Sequence, residues 1–248
     1  MKFGQTRTRV ALDHALITPD THVKAPLPAW MQSACVLHIS PEMGARFTQY
    51  TVLMEMGAVG RPPLAGMQRF VYVLEGKLVL QVDRKDFTLR VDSFAYLPAN
   101  TAHNFEALVP SRLLVIEKPF QPQEGVPQPH VVVGREPEIP SKPLEGDEAL
   151  QVRKLLPDEM VYDMAVNTME YLPGAILPFV ETHVMEHGLL MLSGGGIYRL
   201  SDSWYLVEAG DIIWMRSYCP QWFGALGKAP AKYLIYKDVN RDPLKGRA

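Results

Sequence analysis

The sequence predicts an all-β protein built from two similar units in tandem. Its apolar runs are short and rich in Val, Ile, Tyr and Phe, as at 70–74, 78–82 and 113–116. Turn-forming residues separate these runs, for example at 75–77 and 83–86. Many short strands at regular spacing are typical of an antiparallel sandwich or a jelly-roll barrel, not of alternating strands and helices.

A repeat with nearly constant spacing runs through the chain. The segment Leu74-Glu75-Gly76 matches Leu192-Ser193-Gly194 at an offset of 118 residues (194 − 76), and the same offset places His103 on Gln221 (221 − 103). Elsewhere the offset changes by only one or two residues, to 117 between Gly57 and Gly174 and to 120 between Leu114 and Leu234. Because chance rarely keeps register over roughly 60 residues, the repeat indicates a tandem duplication.

Less regular segments flank the two units. Residues 30–118 form the first predicted unit and residues 147–248 the second. Residues 119–146 form a predicted linker, because the prolines at 119, 122, 127, 129, 137, 140 and 143 exclude helix and restrict sheet pairing to edges. Residues 1–29 have no counterpart in the repeat, and we expect this arm to pair with a sheet edge of its own or of a neighbouring subunit.

Two short segments near the linker carry predictions of their own. The run Val131-Val132-Val133 favours one additional strand. Helix is otherwise scarce, and only residues 147–152 favour a turn or two of it.

Composition excludes several classes of protein. The formal net charge of −2 and the pI of about 6.4 give no basic surface for nucleic acid. No apolar run approaches the roughly 18 residues of a membrane-spanning helix, and the first residues lack the apolar core of a signal peptide. The 2 cysteines, Cys35 and Cys219, are too few for a disulfide scaffold. These features predict a cytoplasmic protein that acts on a small molecule, without a nucleic-acid or membrane partner.

The polar cluster at 181–187 is the strongest functional signal. Glu181 and His183 are two residues apart, so both project from one face if this segment is a strand. His187 follows after a gap that a turn can fold back beside them. One carboxylate and two imidazoles suit a divalent transition metal that keeps open positions for substrate.

The spacing around this cluster resembles the cupin superfamily. The first cupin motif runs G-x5-H-x-H-x3-E-x6-G, and this chain has Gly174, then Glu181-x-His183-x3-His187, then Gly194. The second motif fits residues 210–221 with Gln221 in place of the usual histidine. The resemblance implies two tandem cupin barrels, each a double-stranded β-helix or jelly roll, which together form a bicupin.

The Glu/His/His/Gln set, with the strings at 192–198 and 237–242, is similar to the (S)-ureidoglycine aminohydrolase family. That resemblance implies a manganese enzyme of purine (allantoin) degradation that releases ammonia from ureidoglycine to give ureidoglycolate. The implied Mn²⁺ ligands are Glu181, His183, His187 and Gln221. The implied substrate-binding residues are Tyr198, Tyr233 and Lys237.

Glu181, Tyr198 and Lys237 are the candidate catalytic residues. General acid–base work falls to Glu181, to Tyr198 or to a metal-bound water, and the sequence does not decide between them. Lys237 is expected to hold the substrate's carboxylate or ureido oxygen as a point charge. Cys219 is expected to point away from the metal or to line the wall. Candidates for the apolar lining are Met185, Leu190, Trp214 and Trp222.

The first unit has lost three of the four ligand positions. The offset of 118 places Pro63, Ala65 and Arg69 over Glu181, His183 and His187, and only His103 remains. We expect this unit to keep the fold without a metal; the alternative is a metal-free binding pocket made by Gln68, Arg69 and His103. The remaining histidines, at 14, 22, 38 and 130, lack ligand spacing and are expected at the surface.

Other functions fit the same motifs. An Fe(II) dioxygenase or isomerase uses similar ligands, and a non-catalytic bicupin binds a small molecule without turnover. Bicupins often associate through their sheets, so a homo-oligomer is expected.

Overall fold

The structure, a computed structural model, describes residues 5–242. This part of the chain contains no α-helix, only short 3₁₀ turns at Pro19–Thr21, Pro41–Met43 and Glu136–Glu138. It therefore holds no helix long and apolar enough to span a membrane. The strands are β1 (Arg9–Val10), β2 (His14–Ile17), β3 (Lys24–Ala25), β4 (Trp30–Ile39), β5 (Thr48–Gly60), β6 (Met67–Glu75), β7 (Lys77–Val82), β8 (Lys85–Arg90), β9 (Ser93–Leu97), β10 (His103–Ala107), β11 (Ser111–Pro119), β12 (Val132–Arg135), β13 (Lys142–Leu144), β14 (Asp147–Lys154), β15 (Met164–Tyr171), β16 (His187–Ser193), β17 (Gly195–Leu200), β18 (Ser203–Glu208), β19 (Ile212–Met215), β20 (Gln221–Ala225) and β21 (Ala231–Asp238).

The chain divides into two compact units. The first barrel is His22–Glu138, and the second barrel is formed by residues 5–21 together with residues 139–242. This division differs from the boundaries at 29, 118 and 146 that the sequence suggested. The reason is strand pairing over long sequence separations: β2 of the arm pairs with β19, and β12 of the linker pairs with β9.

The first barrel is built on one 10-stranded sheet in the order β12-β9-β6-β11-β5-β10-β7-β8, with β4 and β3 continuing from β5. Its core is lined by alternate residues of several strands, as expected where one face of each strand is buried. Examples are Val71 and Val73 of β6, Leu78 and Leu80 of β7, and Val115 of β11, all fully buried.

The second barrel has two sheets around one core. An 8-stranded sheet runs β1-β2-β19-β16-β21-β15-β14-β13, and a 3-stranded sheet runs β18-β17-β20. Leu189 and Tyr233 of the large sheet and Tyr198 and Phe223 of the small sheet belong to the same buried cluster. The two sheets therefore face each other across a shared interior, the arrangement of a jelly roll.

Strand registers are equivalent in the two barrels. In the first barrel Arg69 of β6 lies opposite Leu97 of β9 and opposite Glu117 of β11. In the second barrel His187 of β16 lies opposite Met215 of β19 and opposite Lys237 of β21. The pairs obey the sequence offsets of 118 (215 − 97) and 120 (237 − 117), so the duplication predicted from the sequence holds at the level of hydrogen-bonded neighbours.

Each barrel uses a glycine at the same tight turn. Gly76 has φ +87° and Gly194 has φ +66°, a region that side chains with a Cβ rarely adopt. A Cβ on either would lie 2.5 Å from the carbonyl oxygen of a proline, Pro110 or Pro230. Only glycine fits this position without a clash, which explains why both repeats have glycine there.

Two predictions for segments in or next to the linker, one of a strand and one of a helical turn, had different outcomes. The Val131–Val133 run was expected to add a strand, and β12 confirms this. The helical turn expected at 147–152 is wrong, because these residues form most of β14. Strand pairing with β15 overrides the local helix preference there.

Candidate metal centre

Backbone hydrogen bonds bring the predicted ligand residues together. Glu181 lies in the loop between β15 and β16, and Gln221 is the first residue of β20. They form an isolated bridge in which each N–H donates to the other's carbonyl oxygen, at 2.8 and 2.9 Å. The N–H of Tyr218 donates to the carbonyl oxygen of His183 at 2.7 Å, and His187 opens β16. Loop and strands are thus held in one register around the site.

The four side chains converge on a common point. The Nε2 atoms of His183 and His187 lie 3.2 Å apart. The Gln221 amide nitrogen Nε2 lies 2.9 Å from His183 Nε2, and a Glu181 carboxylate oxygen lies 4.0 Å from the same atom. Donor atoms that bind one ion with bonds of about 2.1 Å are spaced roughly 3 Å apart when adjacent, so the spacing of the two imidazole nitrogens fits a shared cation. A half-turn of the Gln221 amide, whose O and N are assigned from the hydrogen-bond network, would place its oxygen towards the same point.

The hydrogen bonds of the His183 and His187 rings also favour a cation between them. His187 Nδ1 lies 3.2 Å from the carbonyl oxygen of Tyr236, which only accepts, so Nδ1 carries the proton and Nε2 presents a lone pair towards His183. His183 Nδ1 is buried and finds no hydrogen-bond partner among residues 5–242. A cation bound to both Nε2 atoms would take their lone pairs and would leave the His183 proton on Nδ1, towards the backbone near Met185.

Electrostatics keep the imidazoles neutral. Burial lowers the pKa of His187 well below its usual value, and the nearby Lys237 lowers it further. Burial also lowers the pKa of His183, and the carboxylate of Glu181 opposes this shift. Neutral imidazole is the form that binds metal, so both rings are ready to act as ligands near pH 7.

Three buried tyrosines line the interior beside these ligands. The hydroxyls of Tyr171 and Tyr233 lie 2.7 Å apart, and Tyr198 hydrogen-bonds to Tyr233. Burial raises the pKa of each hydroxyl well above its usual value, and the carboxylate of Glu181 raises it further. All three therefore remain protonated donors. Tyr171 was not among the predicted residues, although it shares a face of β15 with Met169, which lies opposite Tyr233.

Lys237 provides the positive charge of the site. It lies on β21 directly opposite His187 and four residues after Tyr233, on the same face of the strand. Burial lowers the pKa of its ammonium group, and the carboxylate of Glu181 counteracts this. The structure thus brings together all seven predicted site residues: Glu181, His183, His187, Tyr198, Gln221, Tyr233 and Lys237.

Three of the four candidates for the apolar lining, Leu190, Trp214 and Trp222, lie on strand faces opposite to the ligand residues, and Met185 lies in the loop before β16. Trp214 pairs with Gly188 and Leu190 pairs with Ile212, one residue out of phase with His187, so both point to the opposite face of the sheet. Trp214 is fully buried there and donates its indole N–H to Glu186 at 2.8 Å. Cys219 is 3 % exposed and belongs to the core cluster that includes Tyr198.

The corresponding place in the first barrel is filled by Arg69. Its guanidinium is fully buried, contacts Glu117 at 2.7 Å and donates to His103 Nε2 at 3.1 Å. Trp30 covers it, with the guanidinium carbon 4.9 Å from the ring centroid. Gln68 accepts a hydrogen bond from Tyr96 at 2.7 Å and is likewise fully buried. Arg69 thus bonds to both His103 and Glu117, while Gln68 bonds to Tyr96 on the other face of β6, so the three residues do not line one pocket; this argues against the metal-free pocket considered from the sequence.

Two histidines expected at the surface are buried instead. His14 is 3 % exposed and contacts Asp13 and Tyr205, each at 2.8 Å. His38 is 4 % exposed and lies 2.8 Å from the hydroxyl of Thr51. No spacing signal marks either residue, because Tyr205 and Thr51 are contributed by other strands.

Comparisons with known proteins agree with this architecture. Residues 51–117 match the family model described as "Cupin domain". A "Probable (S)-ureidoglycine aminohydrolase" from Oryza sativa subsp. japonica is 44 % identical over 97 % of this chain and 78 % of its own. The "(S)-ureidoglycine aminohydrolase" of Arabidopsis thaliana is 42 % identical over 97 % of this chain and 80 % of its own. The solved structure of the "Putative Glyoxylate Induced Protein" from Pseudomonas aeruginosa aligns with a TM-score of 0.90 at 30 % identity, covering 98 % of this chain and 94 % of that one.

Two jelly-roll barrels with equivalent registers and a cupin-family match define the class: the protein is a bicupin. Identity of more than 40 % over nearly the whole chain narrows the assignment. The chain belongs to the (S)-ureidoglycine aminohydrolase family.

Proposed function

We propose that this chain is a metal-dependent (S)-ureidoglycine aminohydrolase of purine (allantoin) degradation. The reaction takes (S)-ureidoglycine and water to (S)-ureidoglycolate and ammonia. The observation that supports it most is the meeting of His183 and His187, with their Nε2 atoms 3.2 Å apart, beside Gln221 and Glu181. Relatives that carry the name of this enzyme match the chain over nearly its whole length.

Glu181, His183, His187 and Gln221 would hold the metal, and Mn²⁺ suits them best. A carboxylate and an amide oxygen are hard ligands and imidazole is intermediate, while no thiolate is part of the set. When bound, the ion supplies Lewis acidity and a template that orients the substrate. Four protein ligands leave room for a chelating substrate on an ion that prefers about six.

Lys237 and Tyr233 would bind the substrate. The ammonium group of Lys237 is shielded from water, so its attraction to a substrate carboxylate or ureido oxygen is stronger than at an exposed surface. Tyr233 is held by Tyr171 at 2.7 Å, which fixes the direction of its hydroxyl. Two fixed donors on one strand face select a substrate with oxygens at both ends.

Glu181 and Tyr198 would handle protons. Glu181 is the outermost of the four ligand side chains, 4.0 Å from His183 Nε2 and about one-third exposed, so it can exchange protons with water and with the departing amine. Tyr198 remains protonated because burial raises the pKa of its hydroxyl. It therefore does not act as a base; its O–H donates to Tyr233 and would have to turn from it to donate to the substrate.

The test is ammonia release from freshly generated (S)-ureidoglycine. Protein stripped of metal is assayed without addition and after adding Mn²⁺, Fe²⁺ or Zn²⁺. We expect the fastest release with Mn²⁺ and little without metal. Stoichiometric metal binding without ammonia release would contradict the proposal, and oxygen uptake with an Fe²⁺-loaded protein would redirect it to a dioxygenase.

We further propose that the enzyme is a cytoplasmic homo-oligomer. Both cysteines are free and buried, which suits a reducing compartment. The edge strand β18 exposes Trp204 and Leu206 on one face, at 61 % and 65 %, and a second copy would cover them. Light scattering should report a multiple of 27.9 kDa. A Trp204→Ser/Leu206→Ser variant should be smaller, and a monomeric wild type would overturn the proposal.

A further inference from the structure

Three metal-ligating side chains meet outside the candidate metal centre of the second barrel. Asp13 and His14 stand at the start of β2, and Cys219 lies in the loop between β19 and β20. A carboxylate oxygen, a ring nitrogen and the thiol sulfur of these residues all lie within 4.8 Å of one another. Among residues 5–242, these three side chains form a group of His, Cys and Asp close enough to share one ion.

The backbone fixes the positions of all three residues. His14 pairs with Met215 where β2 joins β19. The N–H of Arg216 donates to the carbonyl oxygen of Asp13 at 2.9 Å, and the N–H of Cys219 donates to the carbonyl oxygen of Arg216 at 3.0 Å. The arm and the loop are therefore connected in register, so the three side chains stay together without any bound group.

His14 is held as a metal-binding histidine is usually held. Its Nε2 lies 2.8 Å from the hydroxyl of Tyr205, and its Nδ1 lies 2.8 Å from Asp13 Oδ1. Histidines that bind metal through one nitrogen generally have the other nitrogen fixed by an oxygen atom. Tyr205 fills that role here and directs the second nitrogen towards Asp13.

The three side chains of the cluster differ in burial, and Asp13 is the one that water reaches. His14 and Cys219 are each 3 % exposed, whereas the side chain of Asp13 is 36 % exposed. Two enclosed donors beside one donor open to water allow an ion to enter and to keep a water ligand. The contacts of the Cys219 thiol within the chain are replaceable: it lies 3.6 Å from the carbonyl oxygen of Pro220 and contacts the backbone of Ser201, and sulfur is a weak hydrogen-bonding partner.

We propose that Asp13, His14 and Cys219 form a second cation site, selective for zinc-class divalent ions. Thiolate, imidazole and carboxylate are the ligands that Zn²⁺ takes in proteins, and three of them leave a fourth position for water. Binding replaces the thiol proton of Cys219, which is released, and replaces the hydrogen bond between Asp13 and His14. The site is independent of the ureidoglycine reaction, whose hard ligand set contains no sulfur.

Cadmium titration tests the site, because a bond between Cd²⁺ and a thiolate produces an ultraviolet charge-transfer band. Reduced, metal-free protein is titrated with Cd²⁺ and then with Zn²⁺ as competitor. We expect the band to reach full intensity within two equivalents of Cd²⁺ at micromolar concentration, because the candidate metal centre can take one ion without a thiolate, and we expect Zn²⁺ to abolish it. No band, or a band that needs millimolar Cd²⁺, would overturn the proposal.

Variants identify the ligands. Cys219→Ala and Cys219→Ser should both lose the band, and His14→Asn should weaken Cd²⁺ binding at least about tenfold. Cys35→Ala is the matched control, because Cys35 is the other buried thiol and lies in the first barrel. His187→Ala should keep the band. A band that persists in both Cys219 variants, or that disappears in Cys35→Ala or His187→Ala, would overturn the assignment.

Discussion

The two barrels share a register but carry different charges at the same pair of positions. In the first barrel β6 contributes the cation Arg69, and β11 contributes the anion Glu117 directly opposite. In the second barrel β16 contributes neutral His187, and β21 contributes the cation Lys237. The first barrel is therefore electrostatically complete by itself. In the second, the Glu181 carboxylate opposes the charge of Lys237 from a loop, and the imidazole of His187 stays neutral; under the proposed function a metal ion and an anionic substrate would join this set.

The histidines of the two barrels also differ in whether their ring nitrogens have hydrogen-bond partners within the chain. His103 donates Nδ1–H to a carbonyl oxygen and accepts from Arg69 at Nε2, so both its nitrogens are satisfied within the chain. His183 leaves Nδ1 without a partner in the described chain. Arg69 places a permanent positive charge at the position that corresponds to the candidate ligand His187.

Replacing His187 should produce the largest difference between the barrels. His187→Ala removes a metal ligand, so we expect loss of stoichiometric Mn²⁺ and a fall in kcat/KM of at least about 10³-fold, or about 4 kcal/mol. Metal analysis and ammonia release measure the two effects. His103→Ala, at the corresponding barrel position of Gln221, is the control and should change neither. Full metal content in His187→Ala would contradict the proposed ligand set.

Breaking the ion pair of the first barrel should affect stability instead of activity. Arg69→Met keeps much of the volume but leaves the carboxylate of Glu117 unpaired beside Tyr50, at a cost of about 3–5 kcal/mol. Urea unfolding of the metal-free protein measures this cost. The double variant Arg69→Met/Glu117→Gln should recover most of it, since no buried charge remains. A loss of manganese in Arg69→Met would show that the barrels are not independent in this respect.

Removing the lysine of the second barrel should weaken catalysis without removing the metal. Lys237→Met is expected to lower kcat/KM by about 10- to 100-fold, equivalent to about 1.4–2.7 kcal/mol, because the substrate loses its point-charge partner. Manganese content should stay unchanged. Lys232→Met is the matched control. Side chains alternate between the two faces of a strand, and Lys232 is an odd number of residues from Lys237, so it points to the other face of β21. Manganese loss in Lys237→Met would place this lysine in support of the ion.

The smallest expected effect is a pH dependence that belongs to the first barrel. Burial and Arg69 lower the pKa of His103 to about 4, whereas the unfolded chain titrates near 6.5. Between these values the unfolded state binds more protons, so the stability that neutral His103 contributes is present above about pH 6.5 and is lost as the pH falls towards 4. The slope is at most about 1.4 kcal/mol per pH unit.

His103→Gln tests this slope by giving the first barrel the residue type of Gln221. Urea unfolding of metal-free protein between pH 7 and pH 4 should show a shallower decline for this variant than for wild type. His130→Gln, at an exposed position, should leave the slope unchanged. Identical slopes for His103→Gln and wild type would contradict the assignment.

The sequence alone predicts those features of the fold and of the candidate site that depend on local periodicity and spacing. Alternating apolar residues predict the strands, the fixed offset predicts the duplication, and the spacing from Gly174 to Gly194 predicts where the ligand residues lie. The offset of 120 at Leu114 and Leu234 places Glu117 on Lys237, but the pairing of Arg69 with Glu117 escaped it, because a repeat does not show which strands are hydrogen-bonded neighbours.

Pairings between distant segments were beyond local reasoning. The arm pairs with β19 about two hundred positions later in the chain, and His14 reaches Tyr205 across 191 positions. A short polar strand such as β14 depends on its neighbour β15 for its conformation, so its sequence resembles a helical turn. Such features follow from tertiary packing, which periodicity does not encode.

The second barrel is assembled from both ends of the described chain. Arg7 contacts Asp211 at 2.6 Å across 204 positions. During synthesis the first barrel has all its strands before residue 139 emerges, whereas the arm, made first, must wait for β19, one of the last strands. Because contacts between distant segments form slowly, the self-sufficient barrel is complete early and the catalytic one closes last. A ribosome that stops before β21 therefore releases a folded first barrel and no active site.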